Sequence, residues 1–299
     1  MSFSRKRLLT LNGKEKSGEY MKLRKSILVP SIIFLFLAIV INTSWRSIHS
    51  PRPINHKVFN KKKKTNRGSL LSNTFESVYE HVQKLAPTLD SVVFRQAYIG
   101  YLNLREQGKT DSPILTIADL SIHSSKPRLW IIDLERDSLL LNTFVAHGRG
   151  SGIQEARLFS DRPNSNQSSL GFYLTGETYQ GKHGRSLKLD GLDRGFNTNA
   201  RARGIVLHGA WYVGANILKG QDRMGVSQGC PAVSEPLKDK IIDLIKNKSV
   251  LYIYGKSAKY QSAYLNEQTA TQSLMAANMD ESKSEIPDSM SLAEAGNLL

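Results

Sequence analysis

Apolar residues follow three rhythms along this chain, and each predicts a different element. The first is continuous: Ser26 to Trp45, SILVPSIIFLFLAIVINTSW, holds no charged residue. A helix needs about 20 such residues to cross a hydrocarbon core, so residues 26–45 are predicted to be a single membrane-spanning helix, an anchor or signal-anchor. A cleaved signal peptide is the alternative, although no small-x-small cleavage site follows the apolar stretch. The second rhythm is helical. Leu71, Phe75, Val78, Val82 and Leu85, then Phe94, Ala97, Tyr98 and Tyr101, recur at helical spacing and predict two helices broken near Pro87, a small cap over residues 70–111.

The third rhythm is shorter. From Ile114 onward, ILTIADL, RLWIIDL, LLLNTFVAHG, LGFYLTG, LKLDGL, GIVLHGA and SVLYIYG are β-rich runs separated by Gly, Pro, Asp or Ser. They predict a mainly β domain over residues 112–256, a sandwich or barrel. One C-terminal helix interrupts it at Pro236–Lys246, with Leu237, Ile241, Ile242 and Ile245 on one face and Ser234 as N-cap. Residues 257–299 are polar with few aromatics and read as a disordered tail.

Charge changes the picture of the N-terminal part. Residues 1–67 hold 16 of the 41 Lys and Arg and, of the 26 acids, only Glu15 and Glu19, whereas the rest of the chain holds 25 basic and 24 acidic residues. The overall +15 therefore belongs to a basic segment, 1–25, and a basic linker, 46–69, not to the folded part. A near-neutral domain offers no clustered cationic groove, so nucleic acid is not an expected partner. Basic residues stand on both sides of the span, Arg46, Arg52, Lys57, Lys61 to Lys64 and Arg67 after it. Lys22, Arg24 and Lys25 are packed against its start, however, and charges nearest the first span weigh most, so the N-terminus is expected in the cytoplasm and the remaining chain on the periplasmic side.

A lone cysteine, Cys230, excludes an intrachain disulfide and a thiolate metal cage. It sits in GVSQGCPAVS, where Gly225, Gly229 and Pro231 predict a turn presenting a thiol. A nucleophilic thiol needs a base, a group orienting that base and donors for an oxyanion. His208 ends the strand run RGIVLHGA beside Gly209, a rigid place for a base, and the amides of Gly229 and Cys230 are candidate oxyanion donors. Taken singly, the cysteine is most often a small buried hydrophobe and the histidine more often a strand-end residue; the pairing, with the glycines and proline around the thiol, favours chemistry. Two His-Gly-Arg triplets, His147–Arg149 and His183–Arg185, are candidates for a carboxylate-binding rim or are two ordinary turns. Zinc held by His147, His183 and His208 lacks any close ligand pair to support it. The run from Asn164 to Leu192, which includes Tyr173, has the composition of a groove for a polar polymer, or of a surface loop and hairpin.

With these residues in view, the chain resembles the murein L,D-transpeptidase catalytic domain, whose motif is a histidine followed some 20 residues later by Ser/Thr-x-Gly-Cys. His208 and Ser227 to Ala232 carry the resemblance. Upstream, FVAHGRGSG and the long block from Ser168 to Val213, with Tyr212 near its end, extend it over roughly residues 112–255. The resemblance implies an L,D-transpeptidase-like β-sandwich and a cysteine acyltransferase with no cofactor and no metal. Its substrate would be the tetrapeptide stem of peptidoglycan, cleaved between the diamino acid and the terminal D-alanine. It also implies roles: Cys230 as nucleophile, His208 as base, the Gly209 carbonyl as orienting group, and Ser227 and Gly229 as shapers of the oxyanion turn. Gln228 departs from the pattern, because many relatives carry a histidine there, and an amide cannot titrate. A non-catalytic wall-binding module, an L,D-carboxypeptidase using water as acceptor and a thiol hydrolase acting on unrelated amides are the competing readings. Oligomeric state is left open.

Overall fold

The computed structural model describes residues 65–284; the segments read above as basic N-terminus and membrane anchor, nearly all of the linker, and residues 285–299 lie outside them. Helix α1 (Thr65–Leu85) and helix α2 (Ser91–Glu106) occupy the two stretches of helical period, with the break at Pro87. Asp90 caps α2, its carboxylate accepting from the amides of Val92 and Val93, a contribution of about 1 kcal/mol. Eight strands follow: β1 (Ile114–Asp119), β2 (Leu129–Asp133), β3 (Ser138–Thr143), β4 (Gly171–Gly181), β5 (Gly184–Gly191), β6 (Val206–Ala210), β7 (Ala232–Ser234) and β8 (Val250–Tyr254). Helix α3 (Glu235–Ile245) separates β7 from β8, and helix α4 (Glu267–Ser284) follows β8. Ser234 is the N-cap of α3 in backbone conformation, but its hydroxyl makes no capping hydrogen bond.

The mainly β reading holds, with one correction. All eight strands belong to a single sheet, in the order β3-β2-β1-β8-β4-β5-β6-β7, rather than to two stacked sheets. Its ends approach each other: just after β3, Ala146 donates to the Ala232 carbonyl of β7 at 2.8 Å, an antiparallel bridge that nearly closes the sheet. Burial explains why. Strand β2 and nearly all of β1 and β8 are buried on both faces. Leu115, Ile117, Trp130, Ile132, Val250 and Tyr252 face a core shared with α1, α2 and α4. Their alternate neighbours Ala118, Leu129, Ile131, Leu251 and Ile253 face a second core inside the curl, where Ile241, Ile242 and Ile245 of α3 also pack. A sheet covered on both faces reads as continuous apolar runs, and curling supplies the inner cover.

The chain after β8 is a second correction. Residues 257–284 are not a free tail: Ala270 and Leu274 are buried in the helical core. The Asn103 amide donates to the carbonyls of Tyr264 and Asn266, and Arg95 pairs with Glu267 at 2.8 Å. The buried Asp193 carboxylate accepts from the Tyr260 and Ser262 hydroxyls and from the Phe172 amide. Among the described residues no helix is long and apolar enough to cross a membrane.

Candidate active site

The parallel pairing of β6 with β7 sets His208 opposite Ala232, and the His208 amide donates to the Pro231 carbonyl at 3.4 Å. That register carries Cys230 back along β6, where the Val206 amide stands 3.5 Å from the Cys230 sulfur. Val206 and His208 are two apart on one strand, so their side chains share a face. Sulfur and imidazole accordingly line one pocket of about 410 Å³.

The turn bearing the sulfur is held from three sides. Ser227 donates through its hydroxyl to the Cys230 carbonyl at 2.7 Å and accepts from the Gly229 amide at 3.0 Å. The segment after β3 runs alongside: Ser227 donates its amide to the His147 carbonyl, and Arg149 donates to the Ser227 carbonyl. The loop 160–169 closes the third side, its Ser168 hydroxyl donating to the Gly229 carbonyl and accepting from the Gly148 amide. Gly229 has φ +128°, a conformation side-chain-bearing residues avoid. A Cβ on Gly148 would stand 2.8 Å from the Gly229 Cα, so backbone here packs on bare backbone. The Gly229 amide is thus committed to Ser227 rather than turned into the pocket, and of the two candidate oxyanion donors only the Cys230 amide stays at the sulfur.

Protonation follows from partners. His208 Nδ1 lies 2.7 Å from the Gly209 carbonyl. A carbonyl only accepts, so Nδ1 carries the hydrogen and Nε2 keeps its lone pair. Burial holds His208 below the ordinary imidazole range, against the opposing pull of the Gly209 carbonyl. Burial also pushes the Cys230 thiol up, while the Val206 amide and the Lys182 and Arg203 cations pull it partly back. Both directions favour a neutral thiol and a neutral imidazole; the thiol itself points to the Gly204 carbonyl at 3.7 Å, and among the described residues no hydrogen bond joins it to His208.

Arg149, His183, Tyr212, Ser227 and Gln228 line the same pocket. Three other expected rim residues do not, and each placement has a physical reason. His147 is fully buried, its Nδ1 accepting from the Arg128 guanidinium at 2.7 Å and its Nε2 facing the Gly152 carbonyl at 3.1 Å. Arg185 turns outward onto α3, where it pairs with Asp243 at 2.7 Å and with Asp239. Tyr173 lies in the inner core with its hydroxyl donated to the Ser169 carbonyl. The sequence reading also missed Lys182, Tyr179 and Arg203, all in the pocket lining. Lys182 and Tyr179 stood beside His183 in the polar run. Arg203 gave no local signal: it is almost buried and holds loop 160–169 by donating to the carbonyls of Ser160 and Gln167. Among the described residues no group of three His, Cys, Asp or Glu is placed to hold a metal ion.

A family model described as the L,D-transpeptidase catalytic domain matches residues 85–254. The chain belongs to that family. The match takes in all eight strands, His208 and Cys230. Similar solved structures include an L,D-transpeptidase from Mycobacterium smegmatis, 12% identical with a TM-score of 0.30, covering 48% of this chain and 59% of that one. The helical cell shape determining protein Pgp2 from Campylobacter jejuni is 13% identical, TM-score 0.32, with 62% and 66% covered. An L,D-transpeptidase (Yku) from Stackebrandtia nassauensis is 12% identical, TM-score 0.31, with 62% and 93% covered. The chain thus spans about three-fifths of the first of these. No curated protein matches it.

Proposed function

We propose that this protein is a peptidoglycan L,D-transpeptidase working on the periplasmic side of the membrane, held there by residues 26–45. The Cys230 sulfur attacks the carbonyl between the diamino acid and the terminal D-alanine of a tetrapeptide stem. The thiol proton passes to His208 Nε2 as the S–C bond forms, and the same proton leaves with the D-alanine amine when the C–N bond breaks. The acyl-enzyme is then released by an amine of a second stem, giving a cross-link, or by water, giving a carboxypeptidase. The Cys230 amide serves the oxyanion, and Arg149, Lys182 and Tyr212 meet the stem.

The observation that carries this reading is that the His208 ring, with Nδ1 facing the Gly209 carbonyl at 2.7 Å, lines the same pocket as the Cys230 thiol. The test is incubation of the full-length protein with disaccharide tetrapeptides, following D-alanine release and the mass of the Cys230 peptide. D-alanine release with an acyl adduct on Cys230 is expected. Binding without release, equal in Cys230→Ala, would make the protein a wall-binding module instead.

A further inference from the structure

The tip of the β4–β5 hairpin lays a second imidazole on the first. The His183 and His208 rings are 4.1 Å apart between centroids with planes 19° from parallel. His208 comes from β6 and His183 from the turn between β4 and β5, and the register that pairs Ser186 with His208 brings the tip over the base. Both rings line the pocket of the thiol. Among the described residues no hydrogen bond holds the His183 ring, whereas the His208 ring has one, at Nδ1. One hydrogen bond leaves a ring free to tilt about it, and a stacked neighbour removes that freedom.

Resting on the reading of Cys230 and His208 as nucleophile and base, we propose that His183 is a positioning residue, a stacked clamp that fixes the plane of the His208 ring in the pocket it shares with the sulfur and that releases when His183 takes up a proton. The chemistry gives the sign. A neutral His183 ring lies against a neutral or protonated His208 without penalty, but two imidazolium rings at this distance repel. The His208 imidazolium formed as the thiol is deprotonated is therefore tolerated only while His183 is neutral. The surroundings favour that state: burial and the adjacent Lys182 hold His183 low, against Glu235 of α3, while His208 is held low by burial, His183 and Lys182 against the Gly209 carbonyl and Glu235. Lys238 of α3 adds a further cation beside Gly184 at the hairpin. Gln228, in the same lining, cannot take this part because an amide does not titrate.

Because Cys230 is the only cysteine, its alkylation by iodoacetamide reads the couple without any wall substrate. The S–C bond forms, iodide leaves and the thiol proton goes to His208 and then to solvent. In the full-length protein at neutral pH, His183→Ala is expected to alkylate about tenfold more slowly, the share of general-base assistance lost with a loosened base. His183→Phe keeps a stacked ring without a titrating nitrogen and should fall by less than about threefold. In wild type protonation of either ring should stop the reaction, whereas in His183→Phe only His208 titrates, so the acid limb of the wild-type profile should lie at higher pH than that of the Phe variant. An Ala variant matching wild type across the profile, or a Phe variant as slow as Ala, would overturn the proposal. D-alanine release keeps the two readings apart: the expected profiles without release would sink the proposed function and leave the clamp, and release with coincident profiles would do the reverse.

Discussion

Two His-Gly pairs flank the seam where the sheet closes, and they are wired in opposite senses. At His147-Gly148 the imidazole faces Arg128, a group that only donates, so Nδ1 accepts and Nε2 carries the hydrogen toward Gly152. At His208-Gly209 the neighbour is a carbonyl that only accepts, so Nδ1 carries the hydrogen and Nε2 is left bare. The first ring is fully enclosed and has spent both nitrogens; the second keeps one for chemistry. Arg128 itself is fully buried, its other donors given to the carbonyls of Leu120, Ile122 and Val145, and burial holds it down to about 10. The difference teaches that identical dipeptides are assigned by what faces them: a buried cation makes one histidine a structural plug, and a backbone oxygen leaves the other with the unclaimed nitrogen that the proposed base requires.

The sharpest way to break this contrast is at the chemical end. Cys230→Ser and His208→Gln should each lower D-alanine release at least about 10³-fold, with a thermal melt close to wild type. Arg128→Met should do the converse, costing about 3–5 kcal/mol by urea denaturation because four carbonyl contacts and His147 lose a buried donor, while the folded fraction still alkylates at Cys230. Next comes pH. Burial and Arg128 lower His147 from 6.5 to about 4, so between those values the unfolded chain binds a proton that the folded one refuses. Stability should be full above pH 6.5 and fall by about 3 kcal/mol as pH drops toward 4; a pH series of denaturation curves that is flat there would remove His147 from its structural role. Gly229→Ala forces φ +128° on a side chain whose Cβ meets the Gln167 carbonyl at 3.0 Å, and should cost about 1–2 kcal/mol together with kcat. Smallest is Arg149→Gln, expected to raise KM about fivefold with kcat held.

Much of this contrast lies beyond what the sequence exposes. The helices around Pro87, the strand runs and the Cys230 turn were legible because each rests on local rules of period and backbone. The two His-Gly-Arg triplets show where such rules stop. Each delivers one member to the pocket, Arg149 from the first and His183 from the second, because the first triplet runs along the seam and the second turns through a hairpin tip. Nothing within three residues distinguishes them. Arg128 was likewise silent, since its partners are carbonyls up to 17 residues away. The single curled sheet was hidden because a strand buried on both faces looks the same in a sandwich interior as in a closed sheet. Residues 257–284 read as solvated because the apolar groups that reach the helical core, Tyr260, Tyr264, Leu265, Ala270 and Leu274, are spaced among polar ones and fill a groove built by distant elements.

That last segment bears on how the protein is handled at the bench. Trimming a recombinant version to Tyr254, where the family match ends, would strip the stacked Phe172–Tyr252 pair of Tyr264 and take two hydroxyl donors from Asp193, whose carboxyl burial already pushes up. With both versions begun at Thr65, such a product should collect in inclusion bodies, whereas one cut on the far side of Ser284 should stay in the supernatant.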